Sequence, residues 1–300
     1  MILVSGARGR LARIVMEQLN EPVVGMDVRE APADFPGEYF HLKRYAHRKT
    51  AEIFRQVKPR VLLHLGVRSA SPRMEKRYTE NVLGTQHLLR LCEKYGVERV
   101  VAISSFHVYG AHEHNPVGIR EDAPLRAGAS FPELIDLVEL DHTVSNFVWR
   151  QDHVSAVLLR PVHIIGPRLR NRASKLLASP YVPRLIGFDP MLQFLHEEDA
   201  ARAIVVALRS PRRGVYNVAG EGTIAYSHAI RNAGGRPLPL PHMVARPFVR
   251  GFGRVKLSIP HYLVDYFRYP TILSDQAFRR DFRWEPRIST VQALRSLRAV

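Results

Sequence analysis

The first residues of the chain decide its fold: MILVSGARGRLARIVMEQLNEPVVGMDVR (Met1–Arg29). The apolar run from Met1 to Ser5 is typical of a buried parallel strand. A glycine-containing segment, GARGRLA, follows directly, and apolar residues then recur at helical spacing. A second short apolar run, VVGM, ends at Asp27. The stretch therefore predicts a strand–loop–helix–strand unit with a glycine-rich turn at its first corner.

Such a corner is used to bind dinucleotides. Gly6 allows the tight turn, Gly9 lets the backbone approach a pyrophosphate, and Ala12 lets the helix pack close to the strand. The helix N-terminus adds free N–H groups and a partial positive charge, and Asp27 can accept hydrogen bonds from the adenosine ribose. A sharp turn without a ligand is the alternative. The predicted cofactor contacts here are Gly6, Arg8, Gly9, Arg10, Leu11 and Asp27.

Asp27 also bears on which dinucleotide binds. A carboxylate at this place repels a 2′-phosphate and so favours NAD over NADP. Arg8 and Arg29 are close in sequence and weaken that discrimination. NAD is the predicted cofactor.

The composition limits the class of protein. The 300 residues suffice for one large α/β domain with an added lobe, and no apolar run reaches the length of about 18 residues needed for a membrane span. The first strand begins at Met1, which leaves no room for a signal peptide. One cysteine, Cys92, excludes internal disulfides and cysteine-based metal sites. A cytoplasmic location is expected, without a metal.

The charge balance is strongly basic, with 44 Lys and Arg against 28 Asp and Glu, a net charge of +16. This predicts attraction to polyanions such as phosphorylated substrates, anionic lipid or nucleic acid. A solvated basic surface without function is the alternative. Residues 242–270 mix aromatic and basic side chains, which suits a peripheral membrane contact or the core of a lobe. No dedicated nucleic-acid motif is present, so nucleic acid is not the expected partner.

Predicted strands alternate with helices up to about residue 166, which favours a doubly wound parallel sheet of the Rossmann type. The predicted strands are 1–5, 23–27, 39–42, 60–66, 97–105 and 156–165, and the predicted helices end near residues 20, 57, 95 and 150. Residues 1–166 are the predicted NAD-binding domain, to which 188–220 return. Residues 167–187 and 221–300 are the predicted substrate-binding lobe, made of helices and Pro-rich turns in its last part.

Several ordered motifs show a family resemblance: HLGV (His64–Val67), NVLGT (Asn81–Thr85), ISSFHVYG (Ile103–Gly110), LRPVHIIGP (Leu159–Pro167), FLHEEDA (Phe194–Ala200), Tyr216-Asn217 and Trp284-x-Pro286. Together with the glycine corner they resemble the extended short-chain dehydrogenase/reductases, the group of NAD-dependent epimerases and dehydratases. The resemblance covers nearly the whole chain. It implies cofactor contacts at Leu65, Gly66, Val67, Asn81 and Ser104, with the asparagine steadying the active-site helix, and a homodimer is compatible with it.

The chain departs from this family where the chemistry lies. Members carry Tyr-x-x-x-Lys on the helix that here reads FPELIDLVELD (Phe131–Asp141). If Asp141 takes the place of the acid that follows the lysine, the pair becomes Glu133 and Leu137; a shift by two residues gives Phe131 and Ile135. Two other matches, at Tyr39 and Tyr45, lie around the third strand and are interpreted as chance. Loss of a general acid/base costs about 10²–10⁴ in rate.

Two residues are the best replacements. Ser105 matches the family's catalytic serine or threonine, and His107 matches a position where related dehydratases carry an acid/base glutamate; a histidine that titrates near neutrality suits that work. A histidine bonded within its own loop is the alternative. His163 matches a substrate-contacting asparagine, and Arg168 and Arg172 lie where related enzymes grip a pyrophosphate. For each of these three residues, a structural role without substrate contact is the alternative.

The sequence thus predicts an NAD-binding epimerase/dehydratase-like protein that acts on an anionic nucleotide-sugar or lipid-linked alcohol or ketone through Ser105 and His107. A non-catalytic protein that senses NAD or acts as a scaffold is the first alternative. An RNA-binding member of the atypical branch of the family is the second.

Overall fold

The computed structural model describes residues 1–68, 73–241 and 262–299. The strands in chain order are β1 (Ile2–Ser5), β2 (Val23–Asp27), β3 (Gly37–His41), β4 (Val61–His64), β5 (Arg99–Ile103), β6 (Ser155–Pro161), β7 (His163–Ile165), β8 (Tyr181–Leu185), β9 (Met191–Leu192), β10 (Phe194–His196), β11 (Gly214–Val218), β12 (Ile224–Ala225) and β13 (Arg236–Leu240). Seven of them form one parallel sheet in the order β11-β6-β5-β4-β1-β2-β3. The predicted doubly wound α/β fold is confirmed.

Helices connect these strands. They are α1 (Arg10–Leu19), α2 (Arg48–Val57), α3 (Met74–Tyr78), α4 (Gly84–Lys94), α5 (Ala127–Ser130), α6 (Ile135–Arg150), α7 (Arg172–Leu177), α8 (Glu197–Arg209), α9 (Tyr226–Asn232), α10 (Leu263–Tyr266), α11 (Gln276–Phe282) and α12 (Thr290–Ser296). Short 3₁₀ segments lie at Phe106–Tyr109, Pro132–Leu134 and Leu297–Ala299.

The sheet is covered on both faces because alternate residues of each strand point to opposite sides. Val4 of β1 packs with Ile14 of α1 and Ile204 of α8 in one buried cluster. Its neighbour Leu3 packs in another cluster with residues of α2, α4 and α6, such as Val144. This arrangement leaves the carboxyl ends of the strands free to form a cleft.

A smaller group of elements lies beside the main sheet. Three two-stranded pairs, β7 with β10, β9 with β12 and β8 with β13, extend from it. A third buried cluster joins Leu176, Phe194, Tyr226 and Leu294. The substrate-lobe assignment of 167–187 and 221–300 remains a prediction. The prediction that the chain beyond residue 220 consists of helices and Pro-rich turns is wrong, because β12 and β13 lie there.

Some predicted boundaries also need correction. The strand predicted at 156–165 breaks at Val162, and its second part, β7, pairs with β10 outside the main sheet. Pro161 has no N–H with which to continue the ladder. The predicted helix that ends near residue 95 is interrupted by a π-helical turn at Thr79–Leu83. Such turns insert one residue into a helix and are frequent at functional sites.

Candidate functional site

The glycine corner lies where β1 turns into α1. Gly6 has a φ of +74°, a conformation that side chains rarely adopt. Its N–H is shared between the carbonyl oxygen of Met26 (3.0 Å) and the hydroxyl oxygen of Tyr45 (2.8 Å). A Cβ atom on Gly6 would lie 2.6 Å from the backbone nitrogen of Gly66. The ends of β1 and β4 therefore approach so closely that only glycine fits.

The N-terminus of α1 offers backbone donors. Gly9 is its N-cap residue, and no side chain of the described residues caps the helix. The N–H groups of the first turn, among them those of Arg10 and Leu11, have no acceptor within the helix. The Arg10 guanidinium donates to the carbonyl oxygen of Leu169 (3.2 Å). Free N–H groups at the positive end of a helix, beside a glycine turn, fit the diphosphate of a dinucleotide.

Asp27, the predicted ribose acceptor, lies at the end of β2 with 1% of its surface exposed. Its Oδ1 accepts from the backbone N–H (2.9 Å) and Nε (3.1 Å) of Arg29. Its Oδ2 accepts from Nη2 of Arg29 (2.9 Å) and the backbone N–H of Arg8 (3.1 Å). The carboxylate thus accepts four hydrogen bonds from its neighbours in the chain, and its contact with the adenosine ribose remains a prediction.

The segment after β4 lies against the glycine corner. The N–H of Leu65 donates to the carbonyl oxygen of Ser5 (3.0 Å), and that of Val67 donates to the carbonyl oxygen of Leu65 (2.8 Å). The buried ring of Tyr45 supports this segment, because a Cβ atom on Gly66 would lie 2.6 Å from its hydroxyl oxygen. The structure thus brings Leu65, Gly66 and Val67 together with the corner.

Asn81, on the π-helical turn, belongs to a buried polar network. Its Oδ1 accepts from the backbone N–H of Arg68 (2.7 Å), and its Nδ2 donates to the Arg68 carbonyl oxygen (3.0 Å) and to Asp136 (2.6 Å). Arg77 forms an ion pair with the same Asp136 carboxylate (3.2 Å). Because its amide atoms are used in this way, Asn81 holds α6 and the loop after β4 in place. This agrees with the steadying role that the resemblance implies for the asparagine, and its cofactor contact remains a prediction.

Ser105 and His107 lie just beyond β5 and are bonded to each other. Oγ of Ser105 lies 2.8 Å from Nδ1 of His107. Nε2 of His107 and Oγ of Ser104 are buried and have no hydrogen-bond partner in the described part of the chain. Burial and, after it, the nearby His163 hold the pKa of His107 well below its usual range. The His107 imidazole is therefore neutral at pH 7.

His163 lies beside this pair. Its ring centroid is 5.3 Å from that of His107 and 4.5 Å from that of Phe106. Burial lowers the pKa of His163 to about 4, so this ring is also neutral. The structure brings His163 to the candidate site, and its contact with a substrate remains a prediction.

Two tyrosines that the sequence did not single out complete the cluster. The Tyr266 hydroxyl donates to the carbonyl oxygen of His107 (2.7 Å), 159 positions away. The ring of Tyr262 meets that of His107 edge to face, with centroids 5.9 Å apart. Burial raises the pKa of Tyr262, and the charges of Arg172 and Arg77 oppose that rise. No sequence spacing connects such distant residues, and only the aromatic content of 242–270 drew attention to them. Residues 242–261 of that segment lie outside the described residues.

The helix that lacks the Tyr/Lys pair is fixed by a buried ion pair. Asp141 of α6 accepts from Nη2 (2.7 Å) and Nε (2.9 Å) of Arg160 in β6. Counted from Asp141, the places of the missing pair hold Glu133, just before α6, and Leu137, which packs against the apolar core. Neither restores the pair. Tyr45 is bonded beneath the glycine corner and is no replacement.

The two predicted substrate arginines differ in their surroundings. The Arg168 guanidinium contacts both carboxylate oxygens of Glu17 (2.6 Å each) and one of Glu198 (3.2 Å). Arg172 is exposed at the start of α7, and its charge acts on Tyr262. Arg172 thus has an exposed side chain whose charge opposes the rise in the pKa of Tyr262, whereas Arg168 already has two partners. Both substrate contacts remain predictions.

Other predicted features concern the chain as a whole. In the described ranges no helix is long and apolar enough to cross a membrane. In the same ranges no three His, Cys, Asp or Glu side chains are grouped so that they could hold a metal ion. Cys92 is buried, and burial raises the pKa of its thiol.

Comparisons with known proteins agree with this architecture. The model of the NAD dependent epimerase/dehydratase family matches residues 2–219. An uncharacterised protein of Mycobacterium tuberculosis is 32% identical over 226 residues, 71% of this chain and 57% of the relative. The chain thus spans a little over half the length of the curated relatives it matches.

Two solved structures share the fold. A dTDP-glucose 4,6-dehydratase from Bacillus anthracis in complex with NAD has a TM-score of 0.77 at 18% identity, over 99% of this chain and 95% of the other. A UDP-glucose 4-epimerase from Thermus thermophilus in complex with NAD has a TM-score of 0.76 at 20% identity, over 99% and 97%. With the family model and the glycine corner they lead to one conclusion: the chain belongs to the NAD-dependent epimerase/dehydratase family.

Proposed function

We propose that the chain binds NAD at the glycine corner and catalyses hydride transfer between NAD and a secondary alcohol or ketone of an anionic nucleotide sugar. The observation that carries this proposal is the hydrogen-bonded Ser105–His107 pair beyond β5. Nε2 of His107 and Oγ of the neighbouring Ser104 are buried and have no partner in the described residues. Unpartnered buried polar atoms are costly, and they persist where a ligand completes them.

The residues of the corner bind and orient the cofactor. The first-turn N–H groups of α1 hold the diphosphate, and the close approach of Gly6 and Gly66 shapes the floor beneath it. When bound, NAD supplies the acceptor and donor of the hydride. Oγ of Ser104, which is 7% exposed and unpartnered in the described chain, is a hydroxyl available on the cofactor side.

Ser105 and His107 handle the proton of the substrate oxygen. The Ser105 hydroxyl binds that oxygen and passes its proton to Nδ1 of His107, or takes one back in the opposite direction. Because the pKa of His107 lies well below its usual range, the ring is neutral at rest and holds an added proton only briefly. The pair therefore relays a proton between the substrate oxygen and Nδ1 during the transfer and stores none beforehand.

The substrate class follows from charge and from the relatives. Arg172 is exposed at the start of α7, and its charge acts on Tyr262 of the His107 cluster, so it offers a positive charge to an anionic group. The printed names of the two structural neighbours are those of nucleotide-sugar enzymes. A nucleotide sugar, or a lipid-linked analogue with a diphosphate, meets both conditions. The predicted cytoplasmic location, homodimer and membrane contact remain predictions.

A protein that binds NAD without turnover is the second candidate. The observation in its favour is Leu137, an apolar core residue at the place of the lysine that positions the nicotinamide ribose in the family. A scaffold or sensor needs the glycine corner and does not need a proton relay.

Turnover separates the two candidates. Purified protein is mixed with NAD and UDP-glucose or dTDP-glucose, and NADH fluorescence and sugar products are measured for the wild type, Ser105→Ala and His107→Gln. We expect both variants to lose about 10²–10⁴ in rate and to keep their affinity for NADH.

A matched control is present in the chain. The exposed Ser130 and the half-buried His112 form a hydroxyl–imidazole contact of 3.4 Å, and Ser130→Ala and His112→Gln should leave the rate unchanged. Binding of NADH with no turnover of any sugar in the wild type would favour the sensor. Absence of dinucleotide binding at millimolar concentration would refute both candidates.

A further inference from the structure

The acceptor capacity of Asp27 is used up. An ionised carboxylate offers about four lone-pair positions. Arg29 takes three of them, through its backbone N–H, Nε and Nη2, and the backbone N–H of Arg8 takes the fourth. A ribose 2′-hydroxyl that donates to Asp27 must therefore displace Arg29.

Arg29 is well anchored. The Tyr39 hydroxyl donates to its carbonyl oxygen (2.7 Å), and the ring of Tyr39 packs edge to face on Phe35, with centroids 4.9 Å apart. The backbone N–H of Arg29 is held by Asp27 as well. Because main chain and side chain are both fixed, releasing the guanidinium costs two charge-assisted hydrogen bonds.

The same geometry leaves donors facing the solvent. The Arg29 side chain is 49% exposed, and a guanidinium has five N–H donors, of which Asp27 uses two. The Arg8 guanidinium is exposed and makes no hydrogen bond or ion pair with any described residue. Asp27, Arg29 and Arg8 together carry a net charge of +1. This end of the site therefore offers donors and positive charge beside the Asp27 carboxylate.

We infer that Arg29 is a specificity-determining residue that lets the adenosine end accept a 2′-phosphate as well as a 2′-hydroxyl, so that NADP binds along with NAD. The inference rests on the proposed binding of a dinucleotide at the glycine corner. Arginine is the residue that accommodates a 2′-phosphate in such folds, because its planar fork matches the phosphate oxygens.

The test measures binding alone. Dissociation constants for NADH and NADPH are determined from nucleotide fluorescence at fixed ionic strength for the wild type and Arg29→Ala. We expect the wild type to bind the two within about tenfold of each other. In Arg29→Ala the Asp27 carboxylate is exposed to the ribose, so NADPH binding should weaken about tenfold or more relative to NADH, as for the loss of one or two hydrogen bonds to a charged group.

Two further variants make the result specific. Arg29→Lys keeps the charge and cannot bond both carboxylate oxygens. Its ratio of NADPH to NADH dissociation constants should therefore fall between those of the wild type and Arg29→Ala. Arg29→Lys also replaces Arg29→Ala if that variant is unstable. Arg13→Ala removes an arginine of α1 that pairs with Glu17 and Asp34, and its ratio should equal that of the wild type.

Two results overturn the inference. The first is a wild type that binds NADH more than about a hundredfold tighter than NADPH. The second is a ratio of NADPH to NADH dissociation constants in Arg29→Ala that lies within about twofold of the wild-type ratio. Tight NADH binding with either result leaves the proposed function standing. If neither nucleotide binds at millimolar concentration, the proposed function fails and this inference fails with it.

Discussion

At the scale of single residues, the pair proposed to handle the proton lies in an environment that the sequence does not predict. The family resemblance singled out Ser105 and His107, and the structure places Oγ of Ser105 2.8 Å from Nδ1 of His107. A histidine that titrates near neutrality was expected. Burial and His163 instead keep the pKa of His107 well below its usual range, and burial depends on distant residues such as Tyr266 that no local pattern reveals.

The protonation state of His107 is directly measurable. We expect its imidazole to remain neutral when the pH is lowered from 8 through the ordinary histidine range near about 6.5, because the charged form is poorly solvated in this cluster. Side-chain nitrogen and carbon NMR shifts, assigned by comparison with His107→Gln, report this state. A titration midpoint of His107 at the ordinary value would contradict the prediction and place the ring in solvent.

At the scale of elements, strands and helices were predicted where the apolar period was clear, and boundaries failed where tertiary contacts decide them. β1, α1 and β2 follow from Met1–Arg29 alone. The π-helical turn at Thr79–Leu83 does not, because it depends on Asn81 reaching Asp136 in α6. The break between β6 and β7 depends on β10, a partner far along the chain.

The ion pair between α6 and β6 gives a prediction at this scale. Asp141 is fully buried and holds Arg160 through two hydrogen bonds. Asp141→Asn leaves the Arg160 guanidinium without a counter-charge, and we expect the free energy of unfolding to fall by about 3–5 kcal/mol. Urea denaturation monitored by circular dichroism measures this change.

A surface ion pair provides the comparison. Arg60 and Glu98 are bonded at 2.8 Å but are mostly exposed, so Glu98→Gln should leave the free energy of unfolding nearly unchanged. If Asp141→Asn and Glu98→Gln changed the free energy of unfolding equally, burial would not increase the contribution of the Asp141–Arg160 pair to stability.

At the scale of the whole molecule, stability depends on histidines that are buried in the neutral form. His64 lies between β1 and α4, with Nδ1 2.6 Å from Oγ of Ser5 and Nε2 2.8 Å from Oγ1 of Thr85. Burial lowers its pKa to about 4, and that of His163 likewise. The unfolded chain binds protons at these rings near pH 6.5, whereas the folded chain does not. Stability is therefore present above that pH and is lost as the pH falls toward 4.

The expected loss can be measured. Between pH 7.5 and 5.0 each of these two histidines should lower the free energy of unfolding by up to about 2 kcal/mol. Urea titrations at both pH values, repeated for His64→Gln, test this, since the variant should lose less stability on acidification than the wild type. The same pH dependence in both proteins would assign the effect to other groups.

The contacts of Arg168 extend beyond its own loop. Its guanidinium joins Glu17 of α1 to Glu198 of α8, while Gln18 of α1 donates to the same Glu198 (2.8 Å). The helix whose tip is proposed to receive the diphosphate is thereby braced to the chain that leads into α7. A chimaera that exchanges residues 167–187 for those of a relative without this arginine would lose that brace and shift the angle at which α1 presents its tip.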